Sequence, residues 1–102
     1  MSVVIVGGND RMIGLYKELC KRYGCRAKVF TQMKTEFEQK IGSPDLVILF
    51  TGTVSHTMTG CAVNAAKRFN IPIERSHSSS LAALRNILSC YCNGESGYEQ
   101  NI

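Results

Sequence analysis

Hydrophobic positions along the chain fall into four short runs rich in β-branched residues and four stretches with helical spacing. The two kinds of segment alternate from the N-terminus onwards, which is typical of βαβ units and a parallel sheet. We therefore expect a single α/β domain. The predicted strands are Ser2–Val6, Arg26–Phe30, Asp45–Phe50 and Pro72–Arg75.

The first two predicted helices lie on either side of the second strand. The first runs from about Asp10 to Tyr23, and Gly24 supplies its stop. The second, near Thr35 to Ile41, is short and weakly patterned. The apolar positions of the first helix recur every three or four residues and are Met12, Tyr16, Leu19 and Tyr23.

The third and fourth helices have clearer apolar faces. The third is predicted from about Ser55 to Phe69, and Pro72 prevents it from continuing. The fourth begins near Ser79. The side chains expected to face the sheet are Met58, Ala62, Ala65, Ala66 and Phe69 in the third helix and Leu81, Leu84, Ile87 and Leu88 in the fourth.

Right-handed crossovers restrict such a chain to a few topologies, of which the simplest has strand order 2-1-3-4 with helices on both faces. This is a single three-layer domain, half of a doubly wound Rossmann-like or flavodoxin-like fold. We expect the domain to cover residues 1–92. Residues 93–102 contain two glycines and no periodicity, so they are expected to form a flexible tail.

Composition and charge narrow the possible partners. With 44% hydrophobic and 20% charged residues, the 102-residue chain resembles ordinary globular proteins. The net charge of +4 raises the question of nucleic acid, but half of the 12 basic residues fall at predicted helix ends, where cations complement the helix dipole. A nucleic-acid role is therefore not expected. These basic residues are Lys17, Lys21, Arg22, Lys40, Lys67 and Arg68.

Neither a membrane helix nor a secretory signal is predicted. The longest apolar run, Leu46–Phe50, is far shorter than the roughly 20 residues that span a bilayer. The N-terminus lacks a basic start and a long apolar stretch, so a cytoplasmic location is expected. An odd number of cysteines without Cys-x-x-Cys spacing indicates reduced thiols rather than disulfides or a four-thiolate zinc site. The five are Cys20, Cys25, Cys61, Cys90 and Cys92.

Polar loops follow the first, third and fourth predicted strands. In the order 2-1-3-4 they lie side by side at the edge where doubly wound folds bind ligands. The last two loops lead into helices with no acid in the first turn, which leaves the positive end of each helix dipole for an anion. The loops cover residues 7–11, 51–56 and 76–80.

The sequence therefore predicts a regulatory or sensory module that binds an anionic small molecule, such as phosphate, a nucleotide or a phosphorylated metabolite. Arg11 and Arg75 could add charge-assisted bonds. The alternative is that Ser55 and either Ser78 or Ser79 are simple helix caps. No cofactor is identified. The candidate ligand-binding residues are Gly7, Gly8, Asn9, Arg11, Thr51, Ser55, His56, Arg75, Ser76, Ser78, Ser79 and Ser80.

Two other functions stay open. His56 and His77, the only histidines, both fall at this edge and could bind a metal ion or haem. An enzyme acting on a phosphorylated substrate is the third possibility, although enzyme activity is not expected. The first loop lacks the cysteine of a thiol phosphatase, and Phe50 and Thr51 stand where a phosphoaccepting receiver has a carboxylate.

Several motifs together resemble the small bacterial domains grouped as domain of unknown function 2325. They are Gly7-Gly8 with Arg11 and Tyr16, Val54-Ser55-His56, Lys67-Arg68 with Pro72, and Arg75 through Ser78-Ser79-Ser80-Leu81 to Leu84. The resemblance implies an α/β fold and a site at the strand ends, and it implies no activity. Members of that family often carry an acid ahead of the Val-Ser-His segment, where this chain has Gly52 and Thr53.

A second stripe on the third predicted helix points to self-association. Opposite the sheet-facing side it carries Thr57, Gly60, Cys61 and Asn64, which are small and uncharged. A solvent-facing helix normally carries Lys and Glu there. We expect a twofold homodimer through this helix, with Tyr91 of the fourth helix as a further contact.

Overall fold

The computed structural model describes residues 1–33 and 36–91, which form a four-stranded parallel sheet with helices on both faces. The strand order is β2-β1-β3-β4, as the sequence predicts. The strands are β1 (Ser2–Val6), β2 (Arg26–Phe30), β3 (Leu46–Phe50) and β4 (Ile73–Ser76). The helices are a 3-10 turn (Asp10–Met12), α1 (Ile13–Arg22), α2 (Phe37–Ile41), α3 (His56–Arg68) and α4 (Leu81–Tyr91).

The strands pair in parallel with a regular register. Val4 lies opposite Lys28 on one side and Val47 on the other, and Ile48 lies opposite Glu74. The central strand β3 is buried at all five positions, as expected for a strand covered by helices on both faces. β3 begins one residue later than predicted, and Asp45 instead uses its carboxylate to accept a 2.7 Å bond from the Ser2 amide.

Each face of the sheet has its own core. Helices α1 and α4 cover one face, and α2 and α3 cover the other. Strand side chains alternate between the two, so Ile5 and Ile48 pack with Tyr16 whereas Val4 and Val47 pack with Ala62. The α1–α4 core also contains Cys20, Cys25, Leu84, Ile87 and Leu88, and the α2–α3 core contains Phe37, Ile41, Met58, Ala65 and Ala66.

The prediction that Phe69 faces the sheet is wrong, because 51% of this residue is exposed. Helix α3 ends at Arg68, so the helical spacing no longer applies at Phe69. The chain turns at Asn70, which has a φ of 55°. Ile71 then donates its amide to the carbonyl of Ala66 at 2.8 Å and packs against the core in place of Phe69.

Other helix boundaries differ from the prediction by a few residues. The segment at Asp10–Met12 is a 3-10 turn, and Lys17 lies in the middle of α1 rather than in its last turn. The predicted start of α2 at Thr35 and the predicted tail at 93–102 lie outside the described residues. In the part of the chain that is described, no helix is long and apolar enough to cross a membrane.

Candidate site at the carboxyl edge of the sheet

The three polar loops meet at the carboxyl edge, as predicted, and they are hydrogen-bonded to one another. The Gly8 amide donates to the Thr53 hydroxyl oxygen at 2.7 Å, which joins the first loop to the second. The Thr51 amide donates to the carbonyl of Ser76 at 2.8 Å, and the Gly52 amide donates to that of His77 at 3.2 Å. The second and third loops are therefore held together as well.

The glycine pair of the first loop is explained by contacts within the protein. Gly7 and Gly8 have φ values of 109° and 91°, which suit glycine and few other residues. A Cβ on Gly7 would lie 2.9 Å from the Phe50 carbonyl oxygen, and one on Gly8 would lie 2.6 Å from the Tyr16 hydroxyl. The Gly7 amide donates to the carbonyl of Phe30 at 2.8 Å. Both amides thus have acceptors inside the protein.

The rest of the first loop forms the start of the 3-10 turn. The Asn9 side chain accepts a 2.9 Å bond from the Arg11 amide and caps this turn. The carboxylate of Asp10 accepts bonds from the Thr31 hydroxyl and, at 2.8 Å, from the Gln32 side-chain amide. Asp10 therefore ties the loop after β1 to the chain that follows β2.

Helix α3 begins at this edge with an ordinary serine cap. The Ser55 hydroxyl oxygen accepts a 3.2 Å bond from the Met58 amide, and the Ser55 carbonyl accepts from Thr59 at 3.0 Å. The cap interpretation of Ser55 is therefore confirmed. The amides of His56 and Thr57 have no acceptor among the described residues, and the sequence places no acid in this first turn.

The serine loop is organised around Ser80, which is the cap of α4 rather than Ser78 or Ser79. Its hydroxyl oxygen accepts a 3.1 Å bond from the Ala83 amide. Ser78 uses its hydroxyl oxygen to accept from the Ser80 amide at 3.2 Å, and Ser76 donates its hydroxyl to the Ser78 carbonyl at 2.8 Å. The cap therefore lies one residue beyond Ser79 and two beyond Ser78. The Ser78 hydroxyl instead closes the turn that precedes the helix.

Tyr16 supports the first and third loops from below. Its hydroxyl donates to the carbonyl of Ser79 at 2.6 Å and interacts with the backbone of Asn9. The side chain is fully buried, and its ring packs on that of Phe50 with centroids 5.4 Å apart. Burial raises the pKa of Tyr16, so the phenol is held in its neutral form.

The two arginines of the candidate site are both exposed. Arg11 belongs to the 3-10 turn after β1. Arg75 lies two residues after Ile73 in β4 and therefore on the same face of the sheet, and Ile73 packs in the α2–α3 core, so Arg75 lies on the α3 side. Neither arginine forms an ion pair within residues 1–33 and 36–91. Their charges add to the positive ends of α3 and α4 at one edge.

Residues 2–91 match a family model described as an uncharacterized protein conserved in bacteria (DUF2325). The chain belongs to the DUF2325 family. This confirms the resemblance seen in the sequence motifs. No curated protein and no solved structure matches the chain significantly. The description of the DUF2325 family names neither a ligand nor a reaction.

The histidines of the DUF2325 domain share the carboxyl edge, as predicted. His56 is the first residue of α3, and His77 follows β4 with its carbonyl bonded to Gly52. Both are exposed. Within the described residues, no group of three or more His, Cys, Asp or Glu side chains is placed to hold a metal ion. A metal held by these histidines would thus need ligands from elsewhere.

A cleft of about 410 Å³ at the outer side of β2 was not anticipated from the sequence. Asp10 and Gln32, which are hydrogen-bonded to each other, lie on its rim together with Lys40. The sequence feature that could have indicated this cleft is the polar pair Thr31-Gln32, which directly follows β2. Because Asp10 already accepts two hydrogen bonds and carries negative charge, this cleft suits an anion less well than the starts of α3 and α4.

Proposed function

We propose that this DUF2325 domain is a small regulatory or sensory module that binds an anionic small molecule at the carboxyl edge of its sheet. Phosphate, a nucleotide or a phosphorylated metabolite fits this chemistry. The observation that carries the proposal is that two helix starts lie at the same edge of the sheet, one on each face. Helices α3 and α4 follow the neighbouring strands β3 and β4, and both begin without an acid.

Hydrogen bonding within the loops defines which donors are available for the anion. The amides of Gly7 and Gly8 are already bonded inside the protein. Among the described residues, the amides of His56 and Thr57 in α3 and those of Leu81 and Ala82 in α4 have no acceptor. These helix amides, rather than the glycine loop, are the proposed donors, because the helix dipole adds to their hydrogen bonds.

Arg11 and Arg75 are the proposed charge partners of the anion. Both approach the carboxyl edge from different elements, and neither is neutralised by an acid in the described part of the chain. A guanidinium can bind two phosphate oxygens at once, which adds geometric selectivity to the attraction. The Ser76 and Ser80 hydroxyls mainly organise the loop, so we assign them a supporting role.

The melting temperature of the protein in the presence of inorganic phosphate, sulfate or a nucleoside triphosphate tests this proposal. An anion that binds only the folded chain stabilises it by about 2.7 kcal/mol when present at 100 times its Kd. The double variant Arg11→Ala, Arg75→Ala should lose the increase in melting temperature. Arg26→Ala with Lys67→Ala removes the same charge away from the carboxyl edge and should keep it. Unchanged melting of the parent protein with every anion would contradict the proposal.

A metal or haem site built on His56 and His77 is the second candidate, supported by their common edge. Metal analysis and an absorption spectrum of the purified protein test it. Loss of bound metal in His56→Ala and His77→Ala would support this candidate against the first. An enzyme acting on a phosphorylated substrate is the third candidate, and it would use the same anion site.

A further inference from the structure

Helices α1 and α4 form a shallow groove on their outer side. Its volume is about 130 Å³, and its floor is apolar. Leu15, the third residue of α1, is 49% exposed and is one of five large apolar residues that are exposed in the described part of the chain. Leu19 and Leu81 complete the floor, and the rim consists of Glu18, Arg22 and Arg85.

The outer side of α4 is poor in charge. Arg85 is the one charged residue in the eleven-residue segment 81–91. The helix also exposes four small or uncharged polar residues, which are Ala82, Asn86, Ser89 and Cys90. A helix that faces water on that side usually carries several lysines and glutamates, so this side of α4 is better suited to contact with another protein surface.

The charges on the rim are complementary across the groove. Glu18 belongs to α1 and Arg85 belongs to α4, and they line opposite sides of the same groove. Neither takes part in an ion pair within the described residues. Glu18 stands four residues before Arg22, the favourable order for pairing on a helix, yet it forms no ion pair with it in the described structure.

The direction of the helices shows what this surface could bind. Both α1 and α4 follow a parallel strand and pack on the same face of the sheet, so they run in the same direction. A twofold axis along the groove would place α1 of each copy against α4 of the other. Glu18 and Arg85 line the same short groove and so lie at a similar height along this axis. Glu18 of one copy would then face Arg85 of the other, and the contact would occur twice.

We propose that the α1–α4 face is the contact surface of a twofold homodimer, with Leu15, Leu19 and Leu81 at its centre. Two symmetric pairs between Glu18 and Arg85 would fix the register. The surface is apolar at its centre, and Glu18 and Arg85 on its rim have opposite charges and lie on different helices, a pairing that an isologous interface repeats on both sides of the axis. Arg22 is the third charge on the rim. Leu81 is the one residue that this surface shares with the proposed anion site, through its side chain here and its backbone amide there. Leu15, Glu18, Leu19 and Arg85 do not belong to the carboxyl edge, so the two proposals are tested by different variants.

The stripe on α3 is the competing surface. Thr57, Gly60 and Asn64 are exposed there, as predicted from the sequence, whereas Cys61 is only partly exposed and packs against the α2–α3 core. The stripe has no large exposed apolar side chain and no pair of opposite charges, so it offers less to define a twofold contact. A homodimer through α3 stays a prediction, and the experiment below separates it from the α1–α4 dimer.

Sedimentation equilibrium of the full chain over a range of micromolar concentrations tests the proposal. The parent protein should show a monomer–dimer equilibrium. Glu18→Arg and Arg85→Glu should each raise the dimer Kd by about tenfold or more at low salt, because each places like charges opposite one another. The double variant should restore the parent value, since it recreates both pairs with reversed signs. Leu15→Ser should weaken the dimer at any salt concentration.

The control variants change the charge by the same amount at residues outside the α1–α4 face. Glu36→Arg and Lys67→Glu should leave the dimer Kd unchanged, and circular dichroism should show that every variant is folded. Gly60→Glu should also leave it unchanged. The proposal is wrong if the parent protein is a monomer throughout, or if the double reversal fails to restore a dimer that both single reversals weaken. It is also wrong if Gly60→Glu disrupts the dimer while the charge reversals do not.

Discussion

The hydroxyl of Tyr16 lies 2.6 Å from the carbonyl oxygen of Ser79, although 63 residues separate them in the sequence. Tyr16 belongs to α1, and Ser79 lies in the loop that leads into α4. The same hydroxyl interacts with the backbone of Asn9. One buried side chain therefore holds the first and third loops of the candidate site in place.

Tyr16→Phe should destabilise the folded chain by about 1–3 kcal/mol, because the carbonyl of Ser79 loses its donor at a partly buried position. Urea unfolding measures this loss. Tyr23→Phe is the matched control, since the Tyr23 hydroxyl contacts Ser89 at 3.3 Å in an exposed position. The control should change stability by less than about 0.5 kcal/mol. Equal losses in the two variants would argue against a supporting role for Tyr16.

Stability should decrease at alkaline pH. Burial and the neighbouring Cys25 raise the pKa of Cys20 from 9.0 to about 12, and burial raises the pKa of Tyr16 as well. The unfolded chain loses these protons first, so their contribution is complete below about pH 9 and is lost as the pH rises towards 12. The expected slope for Cys20 is about 1.4 kcal/mol per pH unit.

Urea unfolding in reducing buffer at several pH values between neutral and strongly alkaline measures this slope. Cys20→Ala should flatten it, because the buried thiol is gone. Cys61→Ala is the control, since Cys61 is only partly buried and should retain the slope. A slope that persists in Cys20→Ala would assign the effect to other groups.

Gly52→Ala should destabilise the protein, because the new Cβ would lie 2.5 Å from the His77 carbonyl oxygen. Neither backbone can move without breaking the bond between these loops, so a cost of about 1–3 kcal/mol is expected. Gly14→Ala is the contrast. Its Cβ would meet nothing within 4 Å, and alanine in a helix should stabilise by about 1 kcal/mol. Thermal unfolding of both variants should show shifts of opposite sign.

Thr57→Asp should mimic the proposed ligand by placing a carboxylate in the first turn of α3. Without anion, it should stabilise the chain by about 0.3–1 kcal/mol through the helix dipole. It should also reduce or abolish the stabilisation by phosphate. Thr57→Asn introduces a side chain of the same shape without the charge, so this variant should still be stabilised by phosphate. Calorimetric titration with phosphate gives the affinities. Equal phosphate binding by both variants would exclude the start of α3 from the site.

The fold of this chain could be predicted from its sequence because the relevant signals are local. Alternating strands and helices differ in the period of their apolar positions, and right-handed crossovers leave few ways to connect them. The order β2-β1-β3-β4 is the simplest of the few topologies that these two rules allow. The same reasoning placed the three polar loops at one edge, since parallel strands end together.

Only the tertiary structure decided how the polar groups at that edge are used. The partner of the Gly8 amide is Thr53, 45 residues away, and the cap of α4 is Ser80 rather than a neighbouring serine. The groove between α1 and α4 also arises from two helices that are far apart in sequence. Hydrogen bonds and grooves of this kind depend on the packing distance between elements to within a few tenths of an ångström, and no local sequence pattern encodes that distance.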